Sequence, residues 1–277
     1  MPASLEDELG DILEKARDGK NWSQKDLAAA TGLDLQRIQK MERYEQVPED
    51  AEIDTLAEAL NLDAACLRAI AHEAWSPKPP QNDPALDLTC LNVFMGLYPV
   101  KCYLIRCPDT GESAVVDTGA SPDALIQKAK ELKVKPSRIL LTHAHPDHAG
   151  GLEKLDRAFS CPSYIQEKEL RPRGSRNLQF VNDGDVLEVG SMKVEVLFTP
   201  GHTAGGVSYR INDTIFSGDC IFAGSMGRAN ASWPGLYRSI TERLLVYPDA
   251  TRLHPGHGPA TTVGEEKRHN PFFCGKV

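Results

Sequence analysis

Two rhythms of apolar and polar positions divide the chain. From Ser4 to Ala74 the apolar residues recur at helical spacing: Leu9, Ile12 and Leu13 begin one amphipathic stripe, and Leu27 with Ala28 continue it on the next segment. Ser23 stands as an N-cap before QKDLAAA, and Thr31-Gly32 is a stop. LDLQRIQKMERYEQ reads as a third helix, Asp50 to Leu60 as a fourth and Asp63 to Ala71 as a fifth. SPKPPQNDPALDL then places prolines at 77, 79, 80 and 84, which no helix can run through, and predicts an extended linker over 76–87. Beyond it the rhythm shortens to strands. LTCLNVFMG, KCYLIRCP and ESAVVDTG come first, with PDTGE as the turn between the last two. SPDALIQKAKELKV predicts a helix with Ser121 as its cap and Pro122 at its first position. RILLTH is a short buried strand, and a helix follows around Gly150–Phe159. MKVEVLFTPGH, VSYRIND and TIFSGD are further strands, and a helix at about Tyr237–Leu245 precedes the strand TRLHPGH. Hairpins first and helices later argue for two sheets covered by helices rather than one parallel, doubly wound sheet.

Charge sharpens the division into residues 1–75, a linker over 76–87 and residues 88–277. The formal charge of the chain is −8, and residues 1–76 hold 17 acids against 8 bases, so the remainder is almost neutral. No apolar run reaches the roughly 18 residues of a membrane span, and the acidic, helical N-terminus has the pattern of neither a signal nor a transit peptide. Seven irregularly spaced cysteines form no disulfide framework. Cys102 and Cys107 lie five apart on one strand and face opposite ways. Cytoplasm is the compartment these features predict.

The candidate chemistry sits where strands end. RILL leads to His143, His145, Asp147 and His148; VEVLFTPG leads to His202; TIFSG leads to Asp219; TRLHPG leads to His257. The strand ending in VVDTG adds Asp117. Loops at strand ends are where a rigid scaffold displays reactive groups. In an extended loop His143 and His145 point to one side, and Pro146 holds His145 extended, so both can face one ion. Asp147 and His148 follow as the chain turns into a helix and can face a second. Imidazoles and carboxylates suit first-row ions such as Zn²⁺, Fe²⁺ or Mn²⁺.

Two resemblances follow from these residues. SQKDLAAATGLDLQRIQKMER and LAEALNLDAACL resemble the helix-turn-helix domain of the lambda-repressor-like (Xre) family over about residues 6–70. That resemblance implies a helix near Asp34–Glu42 lying in a DNA major groove. A DNA reader needs positive charge, and here Asp34, Glu42 and Glu45 oppose Arg37, Lys40 and Arg43. The acidic balance therefore favours a module for dimerisation (a homodimer through these helices) or docking over a DNA reader. HAHPDH, TPGHT, SGD and PGHG, with VVDTG before them, resemble the metallo-β-lactamase superfamily over about residues 88–270. The two together imply an α/β protein: a four-layer αββα sandwich with a two-metal site at one edge, preceded by a small all-α helix-turn-helix domain. By that correspondence His143, His145 and His202 hold the first ion, Asp147, His148 and His257 the second, and Asp219 bridges them. Asp117 would stand behind the ligands and orient one. Cys220 beside Asp219 reads as a packing residue.

IFAGSMGR and HPGHGPATTVGEEKRHNPFF are similar to the short glyoxalase II-like hydrolases, which lack a helical glutathione-binding extension, and the end at Val277 predicts the same here. RANASWPG departs from the Arg-Thr-Asp run of those relatives and bears on glutathione specificity. Ser225, Arg228 and Tyr237 are candidates to line the substrate pocket. The activity implied is cleavage of a thioester or ester by a hydroxide bridging two divalent ions, most simply zinc, with Asp147 orienting the hydroxide and moving its proton. Three alternatives remain open from sequence: a mononuclear-iron persulfide dioxygenase using His143, His202 and Asp219, a lactonase, and a metal- or ligand-responsive DNA-binding regulator.

Overall fold

The structure is a computed structural model and describes residues 4–277. Five helices come first: α1 (Leu9–Gly19), α2 (Gln24–Thr31), α3 (Leu35–Glu42), α4 (Asp50–Leu60) and α5 (Ala64–Ala71). The local signals explain their bounds. Ser23 accepts from the Asp26 amide, Asp26 returns the bond to Ser23, and Gly32 ends α2 at φ +72°. Asp34 caps α3 by accepting from the Gln36 and Arg37 amides, and Asp63 caps α5 by accepting from the Cys66 amide. Ile12, Leu13, Leu27, Ile38, Met41, Ile53, Leu56 and Leu67 face inward and are buried.

Residues 76–86 form no helix or strand and run against the sandwich. Arg252 donates to the carbonyls of Gln81 and Asn82, and Thr214 donates to Asp83. Then β1 (Asp87–Met95), β2 (Tyr98–Arg106), β3 (Ser113–Val116), β4 (Arg138–Leu140), β5 (Ser163–Gln166) and β6 (Leu178–Val181) form one sheet in that order. The second sheet runs β14-β13-β10-β9-β8-β7, from β7 (Val186–Val189), β8 (Met192–Phe198), β9 (Val207–Ile211), β10 (Thr214–Gly218), β13 (Arg252–Pro255) and β14 (Thr261–Thr262). A small hairpin pairs β11 (Ile221–Phe222) with β12 (Ser225–Met226).

Alternation along each strand builds the layers. Tyr103, Ile105, Val116 and Leu140 meet Val194, Val196, Tyr209 and Phe216 between the sheets. Leu104, Val115, Ile139 and Leu141 face the other way, under α6 (Asp123–Glu131) and α8 (Leu152–Phe159). Cys102 and Cys107 fall on these opposite faces, as their spacing predicts. On the far side, Leu197, Ile215 and Leu253 pack against Leu236 of α9 (Trp233–Arg238), a π-helical turn (Ser239–Leu244) and α10 (Val263–His269). The buried apolar residues of α1–α5 belong to this same outer core. The helical module thus extends the outer helical layer of the sandwich.

Three local readings change. Pro122 occupies the N-cap of α6 and no side chain caps it, so Ser121 is not the cap. The helix expected around Gly150–Phe159 is α8, and a further short helix, α7 (Pro146–Ala149), precedes it, the two separated at Gly150-Gly151, where the Gly151 amide turns aside to the Gly119 carbonyl. The helix expected at Tyr237–Leu245 begins at Trp233, capped by Ser232 with Pro234 in its first turn, and widens to a π-helix after Arg238.

Candidate metal centre

Strand direction brings the chemistry to one edge. β3 and β4 are parallel, as are β10 and β13, while β8 and β10 are both antiparallel to β9 and hence parallel to each other. The loops after these five strands carry Asp117, the His143–His148 run, His202, Asp219 and His257. The sheets are tied together there. The Val207 amide donates to the Thr142 carbonyl, the Lys101 amide to the Gly256 carbonyl, and Tyr103 to the Pro255 carbonyl.

The seven proposed ligands converge. One set is His143, His145 and His202; a second is Asp147, His148 and His257; Asp219 joins His143 and His148 in a third, each set with its donor atoms within 4.8 Å of one another. His145 Nδ1 lies 3.1 Å from His143 Nε2 and 3.0 Å from His202 Nε2. His257 Nε2 is 3.4 Å from His148 Nε2 and 3.4 Å from Asp147 Oδ2. Asp219 Oδ2 stands 3.5 Å from both His202 Nε2 and His257 Nε2, between the two sets. Donors bonded at about 2.1 Å to a tetrahedral ion would lie about 3.4 Å apart, so these spacings suit first-row cations.

Hydrogen bonds behind the rings fix which nitrogen faces the centre. His202 Nδ1 donates to the Arg228 carbonyl at 2.8 Å, His257 Nδ1 to the Pro99 carbonyl at 3.0 Å, and His148 Nδ1 to Asp117 Oδ2 at 2.8 Å. Thr142 Oγ1 donates to Asp117 Oδ2, so His143 Nδ1 must donate to Thr142 Oγ1. All four Nε2 atoms are left turned inward. Burial keeps His143 well below the usual imidazole range and depresses His202 too, so their inward nitrogens carry lone pairs. These lone pairs lie 3.0–3.1 Å from His145 Nδ1, an arrangement that a cation between the three rings fits.

The other half of the cluster carries the negative charge. Burial would depress His148, but Asp219 and Asp117 outweigh it and raise that ring well above its ordinary value. Burial likewise opposes His257, which Asp147 and Asp219 nevertheless lift to about 10. Asp219 is buried, yet the neighbouring histidines hold it well below the carboxylate range, and its Oδ1 has no hydrogen-bond partner. Two carboxylates drawing positive charge toward inward imidazole nitrogens form a site that a divalent cation fits.

Asp117 accepts from the Thr142 amide, the Thr142 hydroxyl and His148. It does so from a left-handed backbone at φ +56°, a region aspartate tolerates better than bulkier residues. Gly256 is required by contact: a Cβ there would come within 2.3 Å of Asp219 Oδ1 and 2.4 Å of His148 Cε1. Cys220 is buried and packs in the outer core.

Sequence reading missed two residues. Glu169 accepts from the Ala144 amide and the Gly205 amide, each at 2.9 Å, and so bridges the His143–His148 loop to the loop after His202. Nothing in QEKEL announces this. Glu6 sits with Oε1 3.8 Å from His257 Nδ1, brought from the far end of the chain. The pocket expectations are revised. Ser225 is fully buried, donating to Asp7, and Tyr237 lies against Phe273 in the outer core. Only Arg228 adjoins the cluster, through its carbonyl. The larger cavities lie elsewhere, about 500 Å³ beneath the connector at Pro80–Leu88 and about 440 Å³ in the helical module.

Comparison with known proteins agrees with this geometry. The profile of the metallo-beta-lactamase superfamily matches residues 95–259, and a helix-turn-helix profile matches residues 13–65. The hydroxyacylglutathione hydrolase GloC of Haemophilus influenzae is 30% identical over 207 residues, covering 65% of this chain and 98% of that protein. Among solved structures, BLEG-1, a B3 metallo-beta-lactamase, matches with a TM-score of 0.62 at 32% identity, covering 68% of this chain and all of that one. ETHE1 from Myxococcus xanthus matches with a TM-score of 0.61 at 29% identity, over 68% and 86%. With a metallo-β-lactamase sandwich, its ligand loops at one edge and a helix-turn-helix domain in front, the chain belongs to the metallo-beta-lactamase superfamily.

Proposed function

We propose that the protein is a hydrolase that binds two divalent cations and cleaves a thioester or ester. One observation carries the reading: seven donor side chains converge as two sets of three with Asp219 Oδ2 between them. His143, His145 and His202 would hold one ion, Asp147, His148 and His257 the other, and Asp219 both. The ligand set accepts zinc, iron or manganese. When bound, such a pair supplies a water of lowered pKa and an electrophile for the carbonyl oxygen.

The chain's own residues do the rest. Asp117 and Thr142 hold His148 and His143 in one tautomer, which removes reorganisation when charge develops. Asp147 is partly exposed, and despite its burial His257 and His148 hold it below its ordinary carboxylate value. Asp147 is thus ionised, and the oxygen that does not hold an ion could take a proton from the attacking water and return it to the leaving group. The acyl-thioester reading draws support from the likeness to a hydroxyacylglutathione hydrolase.

The test is turnover of S-lactoylglutathione and of a simple uncharged thioester by metal-loaded protein, with oxygen uptake on glutathione persulfide run beside it. Thioester cleavage without oxygen uptake is expected. Oxygen uptake without cleavage would replace the reading by a mononuclear-iron dioxygenase on His143, His202 and Asp219.

A further inference from the structure

Resting on the hydrolase reading, we propose that the helical module forms one wall of the metal site's mouth. That wall selects thioesters or esters whose remainder is neutral or cationic, and disfavours those bearing carboxylates. The N-terminal segment lies on the turn that carries His257. Gly258 adopts φ +68°, and a Cβ there would come within 2.9 Å of Glu6 Cβ and 3.1 Å of the Glu6 nitrogen. The Glu6 carboxylate is thereby placed 3.8 Å from His257 Nδ1.

On the other side of the mouth is Arg228, whose carbonyl receives His202 Nδ1. Its guanidinium would be the natural partner for a substrate carboxylate. Instead it reaches α1, 2.7 Å from Glu14 Oε2 and 3.4 Å from Asp18 Oδ2. A second cation on this seam, Lys15, is also taken. It is buried against Asp7, donates to the Met226 carbonyl at 2.8 Å and sits over the Phe222 ring, which meets His257 edge-on. Glu6, Asp7, Glu14 and Asp18 thus face Lys15, Arg17 and Arg228, four acids against three bases; Arg17 is itself held by Glu42 and Asp18, so an arriving carboxylate finds no unclaimed cation on this wall. The acid excess of the helical module accordingly has a place of action beside the metal site rather than on DNA.

The experiment uses the full chain and the variant Glu14→Gln/Asp18→Asn, isosteric changes at half-exposed positions. S-methylglutathione, which cannot be hydrolysed, is titrated calorimetrically, and kcat and KM are measured for S-lactoylglutathione and S-acetyl-N-acetylcysteamine. The variant is expected to bind S-methylglutathione at least tenfold tighter. It should also lower KM for S-lactoylglutathione by a similar factor, with kcat and the uncharged thioester unaffected. Adding Arg228→Gln should abolish the gain. Equal S-methylglutathione affinity in wild type and variant, or a gain that survives Arg228→Gln, overturns the proposal. An affinity shift in a protein that cleaves neither thioester would uphold the charged wall and overturn the hydrolase reading instead.

Discussion

The loop His143–His148 and helix α3 are both short polar stretches that their patterns mark as working parts, and the structure treats them in opposite ways. In the loop the rings are turned toward one another and braced from behind by Asp117, Thr142 and backbone carbonyls, so their inward nitrogens remain available. In α3 the cations are tied off: Arg37 pairs with Glu52, and Arg43, just past the helix, pairs with Glu45. Lys40 alone of the three makes no ion pair among the described residues. A motif shows which residues a fold places at a surface. Whether they work there depends on whether neighbours have already claimed their donors.

The comparison breaks most visibly at Asp219, the side chain between both donor sets. Asp219→Ala should lose metal from both positions and at least about a thousandfold in turnover, about 4 kcal/mol of barrier. Metal analysis and kinetics on one preparation check it, and retention of both would dissolve the idea of a shared bridge. A joint between the two regions comes next. Glu266 is buried, accepts from Thr261, Asn270 and the Gly224 amide, and braces the hairpin whose Met226 carbonyl receives Lys15 of α1. Burial pushes its carboxyl up to about 7. A raised folded pKa means the native state holds its proton longer, so stability should decline as pH rises from about 4.5 to about 7 and level off above. The decline is on the order of 3 kcal/mol. Denaturant titrations across that window should show the slope in wild type and its loss in Glu266→Gln.

A smaller effect is expected behind the ligands. Asp117→Asn keeps the shape but loses the carboxylate that accepts from His148 Nδ1 and Thr142. Metal affinity should fall roughly 10- to 100-fold, read by competition with a chelator. The smallest is a null result for α3. Duplex DNA should show no salt-dependent binding, and Lys40→Gln/Arg43→Gln should change nothing. A log–log salt slope that drops by about 2 in that variant would restore the DNA reader.

Much of this was legible in the chain. Helices α1 to α5 were legible from apolar spacing, α2 also from its cap and stop, and Asp50–Leu60 matches α4 at both ends because Glu49 and Asn61 close it. The proposed metal ligands were legible because each lies in a loop that follows an apolar strand and carries glycine or proline. Strands β5 to β7 were not, since SYIQ, LQFV and VLEV mix polar with apolar residues over only four positions and β6 and β7 are partly exposed. Helix α10 carried a signal that went unused: Thr262, three residues before Glu265, caps it. Glu169 and Glu6 reach the site through tertiary contacts alone, so no local pattern could reveal them. The pairing of Asp7, Glu14 and Asp18 with Lys15 and Arg228 belongs to this last kind, since composition recorded the excess charge without its location.

The most direct test of the two-ion hydrolase is activity against metal equivalents. Apo-protein would be titrated with Zn²⁺, and separately with Fe²⁺, while thioester cleavage and bound metal per chain are followed together. The account predicts cleavage that climbs until two ions are bound per chain and stops there. Full cleavage at one ion per chain, or two bound ions with no cleavage of any thioester or ester, would contradict it.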